Sequence, residues 1–171
     1  MGLTVWDTII TRRLHQVSPQ AVSRYVDDND PKVIQAIQHL LNRRIIYDAY
    51  YAHATSLVDG KPSTVSEVLV GHVYPDMIHI ADLEFSDPNA PIPADQRHYP
   101  MTKYRGLGLL GSFIDNVVSV ARSVGASEIT LSAPTPDHVS LYERHGFAIP
   151  DTPRAAIARQ ADQGFPMIRK V

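Results

Sequence analysis

The sequence predicts an α/β fold, and three observations carry that prediction. Segments of strand period and helix period alternate through the second half of the chain. A glycine-rich turn, Arg105-Gly106-Leu107-Gly108-Leu109-Leu110-Gly111, runs directly into a helical pattern. Two strand-like runs, 67–74 and 77–85, flank Pro75-Asp76 as a hairpin.

The elements follow in order. Residues 1–17 fit either strand or short helix. Ser18-Pro19 has the form of an N-cap and a first helical residue, and predicts a short helix to about Val26. Asp27-Asp28-Asn29 breaks it, and Asp30-Pro31 repeats the start signal. Val33, Ile37, Leu40, Leu41 and Ile45 recur at helical spacing, which predicts a longer helix to about Ala54. Asp59-Gly60-Lys61-Pro62-Ser63 reads as a turn. Residues 86–104 carry Pro88, Pro91, Pro93 and Pro100 without periodicity and read as a long loop. Beyond the glycine-rich turn, Leu110, Phe113, Ile114, Val117, Ala121 and Val124 form an apolar helical stripe, closed by Gly125 as a left-handed cap. Residues 128–133 read as a strand, and Pro136-Asp137 starts a helix through Arg144. Gly146-Phe147-Ala148-Ile149 opens a strand. Thr152-Pro153 caps a helix to about Gln163, and residues 165–171 close the chain as a strand. One domain over 1–171 is expected, with the helix 153–163 inserted before the last strand.

Composition excludes several function classes. Hydrophobic residues are 44% of the 171, charged residues 20%, and the formal net charge is −2. That is an ordinary globular balance, with no basic excess to suggest a nucleic-acid partner. There is no cysteine, so disulfides, thiolate metal sites and a cysteine nucleophile are excluded. No signal-peptide pattern and no bilayer-length apolar run are read, so a cytoplasmic location without a membrane partner is expected. No histidine pair has a trusted ligand spacing on one face, and no metal is expected.

A glycine-rich turn before a helix has a physical use. Glycine lets the backbone approach a ligand closely. The first helical N–H groups are unpaired, and the helix dipole adds partial positive charge, so the place suits a pyrophosphate. Arg105 can add a full charge. The turn followed by a helix, the strand around Ile129-Thr130-Leu131, and then Leu141-Tyr142-Glu143-Arg144-His145-Gly146-Phe147 together resemble the Gcn5-related N-acetyltransferase family over roughly residues 77–171. Tyr104-Arg105-Gly106-Leu107-Gly108-Leu109 is similar to its acetyl-CoA motif, and the last segment to its LYexxGF segment. Leu110 stands where that motif has Gly or Ala. Thr135 and His138 stand where many members have Asn and Ala.

The resemblance implies an acyl-CoA N-acyltransferase fold, with a central, mostly antiparallel, splayed sheet flanked by helices. It implies acetyl-CoA, or another acyl-CoA, as co-substrate. The backbone of Gly106, Leu107, Gly108, Leu109, Leu110, Gly111 and Ser112, with Arg105, would cradle the pyrophosphate. The pantetheine arm would lie along Leu83 and Phe85, near His138, in the gap between two parting strands. Tyr142 matches the tyrosine that donates a proton to the coenzyme A sulfur. Its phenol titrates near pH 10, about where a thiol does. Asp82 and Glu84 share one strand face and are the two candidates for the base that deprotonates the amine; a bulge in this strand, common in the family, would change which of them faces the cleft.

The acceptor is expected to be a small-molecule or peptide or protein amine. Asp27, Asp28, Asp30, Asp82 and Glu84 would attract a cation, and His98, Tyr99 and Pro100 would form a lid. Homodimers are frequent among similar proteins. Two other functions stay open from the sequence: a non-catalytic acyl-CoA-binding or interaction domain on the same fold, and a toxin-type acetyltransferase acting on aminoacyl-tRNA.

Overall fold

The computed structural model describes residues 22–26, 31–58, 61–99 and 102–171. Their elements are β1 (Val22–Val26), α1 (Pro31–Asn42), β2 (Ile46–Val58), β3 (Lys61–Val73), β4 (Met77–Pro91), a 3-10 turn at Ala94–Gln96, β5 (Tyr104–Gly106), α2 (Leu110–Val124), β6 (Glu128–Ala133), α3 (Pro136–Glu143), α4 (Pro153–Ala161) and β7 (Phe165–Lys170). Among the described residues the strands form one seven-stranded sheet in the order β1-β2-β3-β4-β6-β7, with β5 added to β4. All pairings are antiparallel except β4 with β6. This is the mixed, mostly antiparallel α/β architecture expected from the sequence.

The C-terminal half follows its local signals. Ile129, Leu131 and Ala133 alternate into the core from β6. In α2, Phe113, Ile114, Val117 and Ala121 are fully buried, and Val118 and Val120 widen the stripe. Val124, counted in the stripe, is 38% exposed. Gly125 ends the helix at φ 76°. Thr135 and Thr152 are the N-caps of α3 and α4, each followed by proline.

The N-terminal half departs from its local signals. Val22–Val26 is a strand paired with β2, where Ser18-Pro19 predicted helix; Ser18 and Pro19 themselves lie outside the described residues. Valine and tyrosine favour a paired strand, and the neighbouring strand decides the outcome. The helix that starts at Pro31 stops at Asn42, not near Ala54. Arg44 takes a left-handed φ of 56°, the Arg44 N–H donates to the Leu41 carbonyl, and the Ile45 N–H donates to the Leu40 carbonyl. This is a Schellman closure made without glycine, so the usual signal was missing. The chain then runs as β2, where Tyr50, Ala52 and Ala54 enter the core.

Three further corrections concern loops. Lys61, Pro62 and Ser63 belong to β3 rather than to a turn. The loop 86–104 is shorter than expected, because β4 continues to Pro91 and β5 pairs back onto it. Residues 146–149 form one bridge, Ala148 to Ile168, instead of a strand.

Two irregularities position the site. The parallel β4–β6 pairing covers only Met77, Ile78 and His79 against Glu128, Ile129 and Thr130. Beyond it the strands part. In β4, Val70 faces Ile80 but Leu69 faces Asp82, so Ala81 is an extra, bulged residue. Strict alternation from the buried Ile78 and Ile80 would drive Asp82 and Glu84 into the core. The bulge turns Leu83 and Phe85 onto the core instead and leaves Asp82 and Glu84 exposed.

Candidate functional site

A cleft of about 830 Å³ opens where β4 and β6 part. Leu83, Phe85, Asp82 and Glu84 line it from β4, and Gly106, Leu107, Gly108, Leu109 and Leu110 line it from the glycine-rich turn. His138, Leu141 and Tyr142 close it from α3.

The turn is pinned to β4. Gly106 pairs with Ser86, and the Leu107 N–H donates to the Phe85 carbonyl at 3.0 Å. A Cβ on Gly106 would stand 3.4 Å from that same carbonyl, a tight approach. Gly108 adopts φ 72°, a conformation that costs an ordinary residue about 1–2 kcal/mol. No side chain caps α2, so its first N–H groups are left for solvent or a ligand at the cleft. Leu110 is the first residue of α2 and packs partly buried against the core.

The structure brings together most of the residues singled out from the sequence, and leaves three outside the lining. Arg105 is exposed between Tyr104, which lines the cleft, and Gly106. The cation that lines the cleft is Lys103, two residues earlier. Gly111 and Ser112 lie one step further along α2; a Cβ on Gly111 would meet the His145 ring at 3.5 Å.

Tyr142 is 8% exposed and sits with its ring edge-on to Phe147, centroids 5.9 Å apart. The Tyr142 carbonyl accepts from the N–H groups of His145 (2.9 Å) and Phe147 (3.2 Å), and Gly146 turns at φ 81°. The segment around Gly146-Phe147 therefore fixes where Tyr142 points. Burial, and then the charge of Asp82, push the Tyr142 phenol above its ordinary range. It keeps its proton throughout the neutral range.

Asp82 accepts the Leu83 N–H at 2.9 Å, and Glu84 accepts the Ser86 hydroxyl at 2.8 Å. A third carboxylate, not singled out in the sequence, lies beside them on the sheet but outside the cleft's lining residues. Glu67 stands directly across from Glu84 on β3, and accepts the Tyr51 hydroxyl at 3.2 Å. Burial, and then Asp82, push its pKa up. Nothing around Ser66-Glu67-Val68 marks this residue in the sequence, because its environment is made by β2 and β4.

His138 is held by Thr135, Nδ1 to Oγ1 at 2.7 Å, and burial lowers its pKa. His79 contacts the Thr130 hydroxyl at 2.9 Å, and burial, then Arg154, lower its pKa. Both rings are therefore neutral in the folded protein at neutral pH. Histidines of depressed folded pKa contribute stability that is present above the unfolded value, near 6.5, and lost as pH falls through the folded value. Tm is expected to fall on acidification below about pH 6.5, and His79→Gln is expected to flatten that fall, as read by thermal denaturation across pH. Glu67 has the opposite sign: its raised pKa favours the fold at low pH, so it does not mimic this limb.

Among the described residues no group of three or more His, Asp or Glu side chains is placed to hold a metal ion. No helix there is long and apolar enough to cross a membrane. His98 approaches Asp137 at 3.7 Å with both side chains well exposed, which contributes little. Asp27, Asp28, Asp30 and Pro100 lie outside the described residues.

No protein-family model matches the chain, and no curated protein matches it. Solved structures similar to it carry the names of acetyltransferases. Nourseothricin acetyltransferase is 20% identical over 72% of this chain and 65% of that one, with a TM-score of 0.45. A Bacillus subtilis acetyltransferase in complex with CoA is 12% identical over 86% of this chain and 97% of that one, with a TM-score of 0.44. An acetyltransferase of the GNAT family from Staphylococcus aureus is 11% identical over 98% of this chain and 94% of that one, with a TM-score of 0.41. The chain thus spans just under two thirds of the nourseothricin enzyme's length, at 65%. Each is a likeness at low identity; the chemistry of this chain rests on its own cleft.

Proposed function

We propose that this chain is an acyl-CoA-dependent N-acyltransferase that moves an acetyl group from acetyl-CoA to a primary amine. The observation that carries the reading is the shared cleft: an uncapped helix start behind a glycine turn, a gap between parting strands, and Tyr142 open onto one space.

The parts divide the chemistry as follows. The N–H groups at the start of α2 hold the pyrophosphate, with Lys103 beside them. The pantetheine arm lies along the open edge of β4 past Leu83 and Phe85, like an added strand. Asp82 and Glu84 at the cleft attract the ammonium of the acceptor. Once deprotonated, the amine attacks the thioester carbon. A C–N bond forms, the C–S bond breaks, and the leaving sulfur takes the proton of Tyr142. The phenol regains a proton from the new amide nitrogen.

The test is release of coenzyme A thiol from acetyl-CoA across a panel of small amines and peptides. Turnover with at least one amine supports the reading; acetyl-CoA binding without turnover across the panel favours a binding domain instead. Gly108→Val is the matched control. Nothing lies within 4 Å of the added Cβ, so no clash opposes it, but φ 72° strains any side chain there, and thermal denaturation checks that the variant is folded. Acetyl-CoA affinity measured by calorimetry is expected to weaken by at least about tenfold, because the added side chain occupies space at the cradle.

A further inference from the structure

The geometry points to a second groove, along α4, that takes the acceptor as a short peptide with a free carboxylate, an assignment that rests on the N-acyltransferase reading. A cavity of about 790 Å³ lies between α4 and the end of β6. Ser132, Pro134 and Thr135 line it from the β6 side, and Arg154, Ile157 and Asp162 from α4 and its C-cap. The groove and the acyl-CoA cleft lie on one face of the sheet. Ile129, Leu131 and Ala133 point into the core and Thr130 pairs with His79, so Thr130 and Ser132 share the face of His79. The bulge at Ala81 brings Asp82 and Glu84 onto that same face. Two hydrogen bonds bridge the cavities. Thr135, in the groove, bonds His138, in the cleft, at 2.7 Å, and the N–H of Thr102, in the cleft, donates to the carbonyl of Tyr99, in the groove, at 3.0 Å.

The charges along α4 give the occupant its polarity. Arg154 stands in the first turn of the helix and Asp162 is its C-cap. Neither is ion-paired among the described residues. The Gly164 N–H donates to the Pro134 carbonyl at 3.4 Å, which holds the Asp162 end against the end of β6, beside Thr135. Arg154 lies at the other end, close enough to His79 to act on its charge. The groove is therefore negative where it adjoins the cleft and positive at its far end. A molecule laid along it points an ammonium toward Thr135 and a carboxylate toward Arg154, whose planar guanidinium matches that group. The eight positions from 154 to 162 rise about 12 Å along the helix. At about 3.3–3.6 Å per extended residue, about four residues span that length. Ile157, 66% exposed, offers apolar surface between the two charges. A polyamine, with a cation at each end, would set one beside Arg154 and is selected against.

The transfer is the one described above. The peptide ammonium gives one proton to solvent, and its nitrogen forms the C–N bond as the C–S bond breaks. Coenzyme A leaves as the thiol with the Tyr142 proton, and the amide nitrogen returns a proton to Tyr142. The carboxylate at Arg154 is not consumed; it holds the peptide in register.

The experiment is calorimetric titration of wild type, Arg154→Gln and Arg154→Glu with tetra-alanine and with tetra-alanine amide, beside steady-state acetylation of the same peptides. Wild type is expected to bind the acid about five- to tenfold more tightly than the amide, with the same ratio in KM. Arg154→Gln should erase the preference by weakening the acid alone, and Arg154→Glu should invert it. Free alanine, too short to span the groove, should show no dependence on residue 154. An acid preference below about twofold in wild type, or one that survives in Arg154→Gln, overturns the assignment. If Arg154→Gln does not fold, the wild-type ratio of acid to amide decides alone. Acid-selective binding without acetylation, in a protein that acetylates other amines, overturns the acceptor role. Wild type inactive with every amine overturns the acyltransferase reading itself, and the binding ratio still decides the groove.

Discussion

Tyr142→Phe is expected to lower kcat by about 10²- to 10⁴-fold, the usual range for a lost general acid, while acetyl-CoA affinity stays within a few-fold. The ring is buried and braced edge-on by Phe147, so phenylalanine keeps the packing and removes only the hydroxyl. The raised pKa gives the sign of the pH effect. A phenol pushed above its usual range stays protonated at neutral pH, so its loss of a proton should lower wild-type kcat in the alkaline region. In Tyr142→Phe the alkaline limb should disappear together with most of the rate. Steady-state kinetics across pH, beside calorimetry with acetyl-CoA, separate the two effects. An unchanged kcat would make Tyr142 a packing residue only.

Phe113→Ala is expected to cost about 3–5 kcal/mol of stability, as large-to-small changes of buried aromatics do. Phe113 is fully buried, and its ring meets Phe85 edge-to-face at 5.6 Å. The same pair joins α2 to the strand that lines the cleft, so the lost volume lies directly under the site. For a chain of this size, thermal denaturation should show Tm lower by roughly 10 °C or more. Phe113→Leu should recover much of it. Acetyl-CoA should bind more weakly to the alanine variant even at temperatures where it remains folded, because Phe85 is no longer braced. A fall in Tm below about 2 °C would mean that the cavity collapses without cost.

The two halves of the chain differ in how plainly their sequence declares them. In α2 and β6 the period of the apolar residues and the glycine at position 125 are local signals, and they agree with the packing. In Ile46–Val58 no local signal was available: the helix before it ends on Arg44, a residue type that seldom takes a positive φ. Val22–Val26 is decided by its partner strand rather than by the residues that precede it. The glycine turn and Tyr142 were legible because the chemistry needs those residue types at those places. The bulge in β4 was expected only through the family resemblance and its place at Ala81 was not, since nothing about alanine predicts one, yet it decides that Leu83 faces the core and Asp82 does not. Glu67 was hidden for the same reason. Its character comes from Tyr51, Asp82 and Glu84, all brought to it by strand pairing. That Lys103 and not Arg105 lines the cleft depends on how the turn before α2 is folded, which the sequence does not declare.

The central claim is that the cleft between β4 and β6 is an acyl-CoA site. Isothermal titration of the purified protein with acetyl-CoA, against inorganic phosphate as a blank, tests it most directly. Saturable one-site binding of acetyl-CoA, weakened by Gly108→Val, is the predicted result. No heat from acetyl-CoA or from longer acyl-CoAs would contradict it, and would mean that Leu110 and the turn before it close the cradle.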